Sequence, residues 1–345
     1  MRAILIPPAF QPYADNSPFS TVYHCQQVAT YLKLCGWEVV VYCLEGSTSE
    51  HLDLKLIPGD PQPSVLGDEP HRTRSGLTNI MAKAIGALNK RDCDVVINFG
   101  HDELPYRLTG GGILNVIPLH TGVNIDADAA IRDAIRGGMG HTLGFLSKSQ
   151  AADYGVSLDE PLSCPIEVPW APAVKPKDGL LFAGRVTRAK GVLNAVGVSK
   201  CVGMPLNIAG MAGDADVVDT AKAAGAQMLG CLRRADLYST MRKSAALLQL
   251  QVADMCKETF GMVTAEALCC GLPVVTWDVG ANVEIMDGES GIVVPLGDLR
   301  AACEAAREVS AWSRDHREDI RRRAVDRFSL VAVGKKYSQW IAETV

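Results

Sequence analysis

Two acidic residues in the second half of the chain, Glu258 and Glu266, have the type and spacing of a ligand-binding element. Glu266 stands in a run of apolar and small residues, where a buried carboxylate needs hydrogen-bond partners to offset its desolvation. Glu258 lies just before that run, where the backbone N–H groups at the start of a helix favour an anion. The two carboxylates therefore indicate a polar site next to a helix N-terminus.

Two basic residues further upstream could bind phosphate. The segment Gly184-Arg185-x4-Lys190-Gly191 follows directly after the apolar run Gly179 to Ala183. Arg185 offers a planar fork of N–H donors and Lys190 a point charge, and both match the oxygens of a phosphate group. The segment therefore predicts an anion site in the loop between a strand and a helix.

The elements around these residues predict a parallel α/β sheet. The apolar run Ala245 to Leu250 is typical of a buried strand, and Leu272 to Thr276 of a second one. Between them, Met262 to Cys270 predicts a short helix that ends before Gly271. Strand, loop, helix and strand in this order form a right-handed crossover. Upstream, we expect a helix over Arg234 to Lys243, with Leu237 and Met241 facing inward.

Together, these motifs resemble the donor site of family 4 retaining glycosyltransferases. The resemblance rests on Glu258-x7-Glu266, on Phe260-Gly261 after the first Glu, on Gly271-x-Pro273 after the second, and on Gly184-Arg185-x4-Lys190-Gly191. It covers the second half of the chain closely and the first half by architecture. It implies an α/β protein with the GT-B fold, in which two doubly wound Rossmann-like domains face each other across a cleft.

The resemblance also implies a function and a set of residue roles. The expected reaction is retaining transfer of a sugar from a nucleotide-sugar to an acceptor that the sequence does not identify. Arg185 and Lys190 would hold the diphosphate, Glu266 the ribose, and Glu258 the donor sugar. Backbone groups near Cys231 and Leu232 would bind the base, so the sequence does not reveal which base it is. The other expected donor-binding residues are Phe260, Gly261, Met262 and Val263.

The candidate residues in the first half of the chain are identified mainly by their positions relative to the predicted strands and loops. His120 ends the predicted strand Asn115 to Leu119, where a side chain points into the ligand crevice of a parallel sheet. The family often has a His there, facing the donor sugar, so we expect His120 to act in catalysis with Glu258, Arg185 and Lys190. The loop Ser17-Pro18-Phe19 stands where many family members carry Gly-Gly close to the diphosphate. We place these three residues near the diphosphate or the acceptor.

The predicted domain boundary lies in a proline-rich segment. Residues 161–176 contain five prolines and little periodicity, which is the composition of a linker. We therefore predict an acceptor-side domain over 1–172 and a donor-binding domain over 173–330. By analogy with other GT-B chains, a final helix within 331–345 would pack back onto the first domain.

Composition excludes several other classes of protein. The chain of 345 residues has no apolar stretch long enough to span a membrane, and its start has too short an apolar core for a secretion signal. We therefore expect a cytoplasmic protein whose 11 cysteines are reduced. The net charge is −7 over residues 1–172 and +2 over 173–345, so we expect no nucleic-acid partner. We find no Walker or dinucleotide motif and expect neither a metal nor a cofactor.

Two alternatives remain open at this point. One is another GT-B enzyme, such as a sugar-nucleotide epimerase, which would convert the free donor without an acceptor. The other is a non-catalytic sugar-nucleotide binder, which would bind the donor without turnover. The sequence does not predict the oligomeric state.

Overall fold

The chain folds into two compact α/β units. The computed structural model describes residues 1–8, 13–14, 17, 19–49, 54–58, 70–100, 103–107, 112–118, 125–172, 174, 179–252, 255 and 257–344. Unit 1 comprises Met1–Pro165 and Leu330–Val345, and unit 2 comprises Ile166–Ser329.

The first boundary lies seven residues earlier than the predicted one at 172/173, because the start of the proline-rich segment is bonded to unit 2. Ile166 forms a parallel bridge with Ser329, and its N–H donates to the carbonyl of Phe328 at 2.8 Å. The carbonyl of Pro169 accepts a hydrogen bond from Arg242 Nη2 at 2.5 Å. These contacts attach residues 166–169 to unit 2.

Unit 1 is built on a six-stranded parallel sheet with the strand order β3-β2-β1-β4-β5-β6. Its central strands are apolar on both faces, as expected of a parallel sheet covered by helices on each side. In chain order the strands are β1 (Arg2–Ile6), β2 (Glu38–Cys43), β3 (Lys55–Pro58), β4 (Val95–Asn98), β5 (Ile113–Val116) and β6 (Leu143–Gly144); the helices are α1 (Ser20–Leu34), α2 (Pro70–Asn89), α3 (Glu103–Arg107), α4 (Ile125–Arg136) and α5 (Lys148–Asp153).

Unit 2 repeats this topology with a second six-stranded parallel sheet, ordered β12-β11-β10-β7-β8-β9. The side chains of Phe182, Leu248 and Trp277 fill its core. The strands are β7 (Leu180–Ala183), β8 (Leu206–Ala209), β9 (Gln227–Gly230), β10 (Leu247–Gln249), β11 (Val274–Trp277) and β12 (Gly291–Val294); the helices are α6 (Val192–Val202), α7 (Ala215–Ala223), α8 (Arg234–Lys243), α9 (Met262–Cys269), α10 (Ala281–Ile285), α11 (Leu299–Ser310) and α12 (Arg314–Phe328).

The last helix, α13 (Leu330–Thr344), returns to unit 1 and packs on α1. A buried polar cluster joins the two helices. His24 Nε2 lies 2.6 Å from the Tyr337 hydroxyl, and His24 Nδ1 lies 3.4 Å from Cys164 Sγ. The hydroxyl of Tyr337 also donates to the carbonyl of Ser163 at 3.3 Å. The C-terminal helix is therefore tied to unit 1 by hydrogen bonds as well as by apolar packing.

The strand order places a ligand-binding edge in unit 2. The chain runs outward from β7 to β8 and β9, then returns to β10 on the other side of β7. The loops after β7 and β10 therefore diverge at a topological switch point, which is where open parallel sheets bind ligands. No helix among the described residues is both long enough and apolar enough to cross a membrane.

Candidate active site

The loop after β7 carries the two predicted phosphate-binding residues. Arg185 is exposed, and its guanidinium has no hydrogen bond or ion pair to any described residue. Lys190 is half-buried at the end of the same loop. Between them, the backbone N–H of Arg188 donates to Asp214 Oδ2 at 2.8 Å, and its guanidinium pairs with Asp216. These contacts fix the loop backbone while Arg185 faces solvent.

Gly191 brings this loop against the end of β10. It has a left-handed backbone, with φ of 78°, and a Cβ there would lie 1.9 Å from the carbonyl oxygen of Leu250. A residue with a side chain is therefore sterically excluded. The contact is reinforced by Asn194 Nδ2, which donates to the same carbonyl at 2.8 Å, and by Val252 N–H, which donates to Ala189 O at 2.9 Å. The loops that follow β7 and β10 are therefore in direct contact at the switch point.

Lys190 and Glu258 form an ion pair across that junction. Lys190 Nζ bonds Glu258 Oε1, and each side chain is 21% exposed. The backbone of Glu258 is also held, because its carbonyl accepts a hydrogen bond from Ala281 N–H at 3.3 Å. The structure therefore brings together a basic residue predicted to bind phosphate and an acidic residue predicted to bind sugar.

Helix α9 begins beside this pair. Its N-cap residue, Gly261, has φ of 85°, and a Cβ there would lie 2.3 Å from Asn282 Oδ1. Asn282 Oδ1 accepts a hydrogen bond from Thr264 Oγ1 at 2.9 Å, and Asn282 Nδ2 reaches Gln251 Oε1 at 3.5 Å. This buried chain of side chains holds the start of α9 against the end of β10. The first N–H groups of the helix have no intrahelical acceptor, as at any helix start.

The remaining residues predicted at this helix start are placed mainly by packing. Phe260 is buried and meets the ring of Phe328 edge-on, with centroids 5.8 Å apart. Met262 is buried and Val263 half-buried, so any ligand contact from this turn would come mainly from backbone N–H groups.

Glu266 is buried, as the apolar surroundings predicted, with 1% of the residue exposed. Its Oε1 pairs with Arg234 Nη1 and also accepts a hydrogen bond from the Tyr238 hydroxyl at 3.2 Å. Burial raises the pKa of Glu266 above the ordinary carboxyl value, while Arg234 and Tyr238 act in the opposite direction. Arg234 therefore supplies the compensating charge that a carboxylate buried in an apolar helix requires.

Arg234 is a functional candidate that the sequence reasoning missed. The prediction placed Leu237 and Met241 on the inner face of α8, but Leu237 is half-buried and Tyr238 is buried. Arg234, Tyr238 and Met241 follow the i, i+4, i+7 spacing of one helix face. That spacing, together with a buried Glu in need of a cation, was the signal that could have identified Arg234.

The other predicted residues are more dispersed. Cys231 is exposed and Leu232 half-buried in the turn between β9 and α8, next to Arg234. In unit 1, Ser17 is buried and Phe19 is partly exposed, with the N–H of Phe19 donating to Ser17 Oγ at 3.3 Å. Pro18 and His120 lie outside the described residues.

Across the ranges that the structure describes, no three His, Cys, Asp or Glu side chains converge in a group able to hold a metal ion. The positive charges of the candidate site come from Arg185, Lys190 and Arg234. The arrangement can bind an anionic ligand through these side chains and the start of α9, and it can accept hydrogen bonds from ligand hydroxyls at Glu258 and Glu266.

Comparison with known proteins shows what the chain is similar to. Residues 177–311 match a protein-family model described as "Glycosyl transferases group 1". The lipopolysaccharide core biosynthesis mannosyltransferase LpsB of Rhizobium meliloti is 42% identical over 62 residues. That match covers 17% of this chain and 18% of LpsB, so less than a fifth of the relative is aligned.

Solved structures resemble the chain over nearly its whole length. AviGT4, a glycosyltransferase involved in avilamycin A biosynthesis, has a TM-score of 0.70 at 22% identity, covering 99% of this chain and 97% of that one. Alr3699/HepE of Anabaena, solved in complex with UDP and glucose, has a TM-score of 0.71 at 12% identity, covering 99% and 100%. The chain thus has the GT-B fold of these structures, and its residues 177–311 are similar to the group 1 glycosyl transferases.

Proposed function

We propose that this protein transfers a sugar from a nucleotide-sugar to an acceptor, with retention of anomeric configuration, as the family 4 enzymes do. One observation carries the proposal. The basic loop after β7, the carboxylate of Glu258 and the start of α9 meet at the topological switch point of unit 2. The match of residues 177–311 to a glycosyltransferase family and the UDP and glucose bound in the Anabaena structure support it.

The proposed roles follow from the chemistry of each group. Arg185 and Lys190 bind the diphosphate and stabilise the charge that develops on the leaving group, a task for which preorganised donors are effective. The N–H groups at the start of α9 assist them. Glu258 accepts hydrogen bonds from hydroxyls of the donor sugar, and Glu266 from hydroxyls of the ribose. Backbone groups at Cys231 and Leu232 hold the base.

A binding screen followed by a transfer assay tests the proposal. Thermal shift with the UDP-, GDP-, ADP-, CMP- and dTDP-sugars identifies the donor, and release of its nucleotide on addition of candidate acceptors measures transfer. We expect one donor to stabilise the wild type, and Arg185→Ala/Lys190→Ala to abolish that shift. Arg300→Ala is the matched control, because Arg300 on α11 is exposed and pairs with Glu304.

Three outcomes would contradict the proposal in different ways. Stabilisation by no nucleotide-sugar would exclude a donor site. Donor binding without turnover on any acceptor would indicate a binding protein, and conversion of the donor without an acceptor would indicate an epimerase. NMR of the product's anomeric proton decides between retention and inversion.

A further inference from the structure

Two cysteines of unit 2 are neighbours where two of its helices pack together. Cys201 is in the last turn of α6 and Cys303 in the second turn of α11, and these helices are in contact. The thiol of Cys303 interacts with that of Cys201 by hydrogen bonding. Cys201 is exposed, whereas Cys303 is buried in the core of the unit. One thiol therefore meets solvent while its neighbour is shielded from it.

Arg307 holds Cys201 next to Cys303. It stands one helical turn after Cys303 on α11, so both side chains lie on the same face of that helix. Arg307 Nη2 donates to the carbonyl of Cys201 at 2.8 Å and lies 3.8 Å from its Sγ. These contacts fix the end of α6 against the face of α11 that carries Cys303, and they place a positive charge beside the exposed sulfur.

The two thiols differ in their expected reactivity. Burial, together with the neighbouring Cys201, raises the pKa of Cys303 above the ordinary thiol value, so Cys303 stays protonated at neutral pH. Oxidation by a peroxide needs a thiolate that the oxidant can reach. Cys201 is accessible and has a guanidinium beside it, which is the environment of reactive cysteines. We therefore expect Cys201 to react first and Cys303 to react with the product.

We propose that Cys201 and Cys303 form a site of reversible oxidation, at which a peroxide converts the two thiols into a disulfide that links α6 to α11. The Cys201 thiolate attacks the peroxide, the O–O bond breaks, and Cys201 becomes a sulfenic acid while hydroxide leaves. Cys303 Sγ then attacks the Cys201 sulfur, the S–O bond breaks, and the departing hydroxide takes the thiol proton to form water. The two thiols together lose two electrons, which reduce the peroxide, and a dithiol reductant restores them.

A second pair of thiols provides an internal comparison. Cys25 and Cys43 of unit 1 interact electrostatically, but both are buried. A peroxide in solution therefore reaches neither of them while the protein is folded. We expect it to link Cys201 to Cys303 in the folded protein and to leave Cys25 and Cys43 reduced. This inference is independent of the proposed sugar transfer, because neither Cys201 nor Cys303 is a residue of the candidate active site.

Peptide mapping of the whole chain under non-reducing conditions tests the proposal. The folded protein is treated with a small excess of hydrogen peroxide, the remaining thiols are alkylated, and the chain is digested with trypsin. Cys201 and Cys303 fall in separate tryptic peptides, 201–222 and 301–307, each with a single cysteine. We expect these peptides to be joined by a disulfide after peroxide and separate after a dithiol reductant. Peptides that remain unlinked after peroxide overturn the proposal.

Serine variants test the order of the two steps. In Cys303→Ser the sulfenic acid of Cys201 has no thiol to react with, so its labelling by dimedone should rise above the wild-type level. In Cys201→Ser, Cys303 should remain reduced. Cys35→Ser, at an exposed position at the end of α1, is the matched control and should form the link as the wild type does. Dimedone labelling of Cys303 in Cys201→Ser would overturn the order, and the wild-type peptide map decides the proposal even if a variant does not fold.

The link should also hold α6 and α11 together during heating. It closes a chain segment of about 100 residues, and cross-links over long segments stabilise a fold by restricting the unfolded chain. We expect the oxidised wild type to unfold several degrees above the reduced wild type, as measured by thermal shift with and without a dithiol reductant. Cys303→Ser should show no such difference. Equal midpoints for the oxidised and reduced wild type would overturn this stabilising role.

Discussion

Lys190 and Glu258 are 68 positions apart in the sequence, and their side chains form an ion pair at the switch point of unit 2. One side chain follows β7 and the other precedes α9. The pair neutralises charge at the place where we propose that the diphosphate and the sugar bind. A partly exposed ion pair of this kind contributes about 1 kcal/mol or less, so a diphosphate carrying several charges can displace the carboxylate from Lys190.

Glu258→Gln should separate binding of the nucleotide from turnover of the donor. The substitution removes the anion that competes with the diphosphate for Lys190. We expect the affinity for the nucleoside diphosphate to be unchanged or higher by up to about 1 kcal/mol, while turnover of the full donor falls because the sugar loses an acceptor. Calorimetry and a nucleotide-release assay measure the two quantities. A tenfold loss of nucleotide affinity would show that Glu258 binds the nucleotide itself.

Lys190→Met should weaken binding of the nucleoside diphosphate and spare the nucleoside. Loss of one hydrogen bond to a charged group costs about 1.5–3 kcal/mol, or roughly ten- to hundredfold in affinity. The nucleoside has no phosphate for Lys190 to bind, so its affinity should be unaffected. Lys200→Met is the control, because Lys200 is exposed on α6, the helix that follows the loop of Lys190. An equal loss for nucleoside and diphosphate would indicate disruption of the fold instead.

The local part of the site was predictable from the sequence. Helix α9 was expected over Met262 to Cys270 and spans Met262–Cys269, because its start and end depend on nearby glycines and on short-range apolar patterning. The burial of Glu266 was expected for the same reason and is confirmed. The parallel sheet of unit 2 was also expected from its alternating apolar runs and helices, and the two-domain architecture from the resemblance to the GT-B fold.

The long-range pairs were not predictable. Periodicity shows which face of a helix is buried, but not which neighbouring side chain it meets. Glu266 meets Arg234 because α8 packs beside α9, and Lys190 meets Glu258 because the loops after β7 and β10 converge. Both contacts depend on the strand order of the sheet. Local sequence patterns do not specify that order, because it is a property of the complete fold.

Glu266→Ala should destabilise the protein as well as the site. The substitution removes the buried carboxylate that Arg234 Nη1 bonds, and breaking a buried ion pair costs about 3–5 kcal/mol. Glu266→Ala/Arg234→Met removes both charges and should be less destabilised than Glu266→Ala. Urea unfolding measures the difference. Glu304→Ala, which removes an exposed partner of Arg300, should change the free energy of unfolding by less than about 1 kcal/mol, and a similar loss in all three would contradict the assignment.

Activity should not depend on a divalent metal. The reason is the proposed role of Arg185 and Lys190, whose charges would neutralise the diphosphate in the position that a metal ion takes in other enzymes. Once the donor is known, nucleotide release is measured before and after treatment with EDTA, and we expect nearly equal rates. A loss of activity that magnesium or manganese restores would contradict this prediction.

His24 should make the stability of the protein depend on pH. Burial lowers the pKa of His24 from 6.5 to about 3, so the folded protein keeps the imidazole neutral where the unfolded chain would protonate it. This contribution to stability is complete above pH 6.5 and is lost as pH falls toward 3, with a slope of about 1.4 kcal/mol per pH unit for one proton. Urea unfolding of the wild type between pH 4 and 7 should show that decline.

His24→Gln, which cannot be protonated, should flatten the dependence of the unfolding free energy on pH. His141→Gln, at an exposed position in the same unit, should leave that dependence unchanged. An identical slope in His24→Gln and the wild type would mean that other groups account for the acid sensitivity.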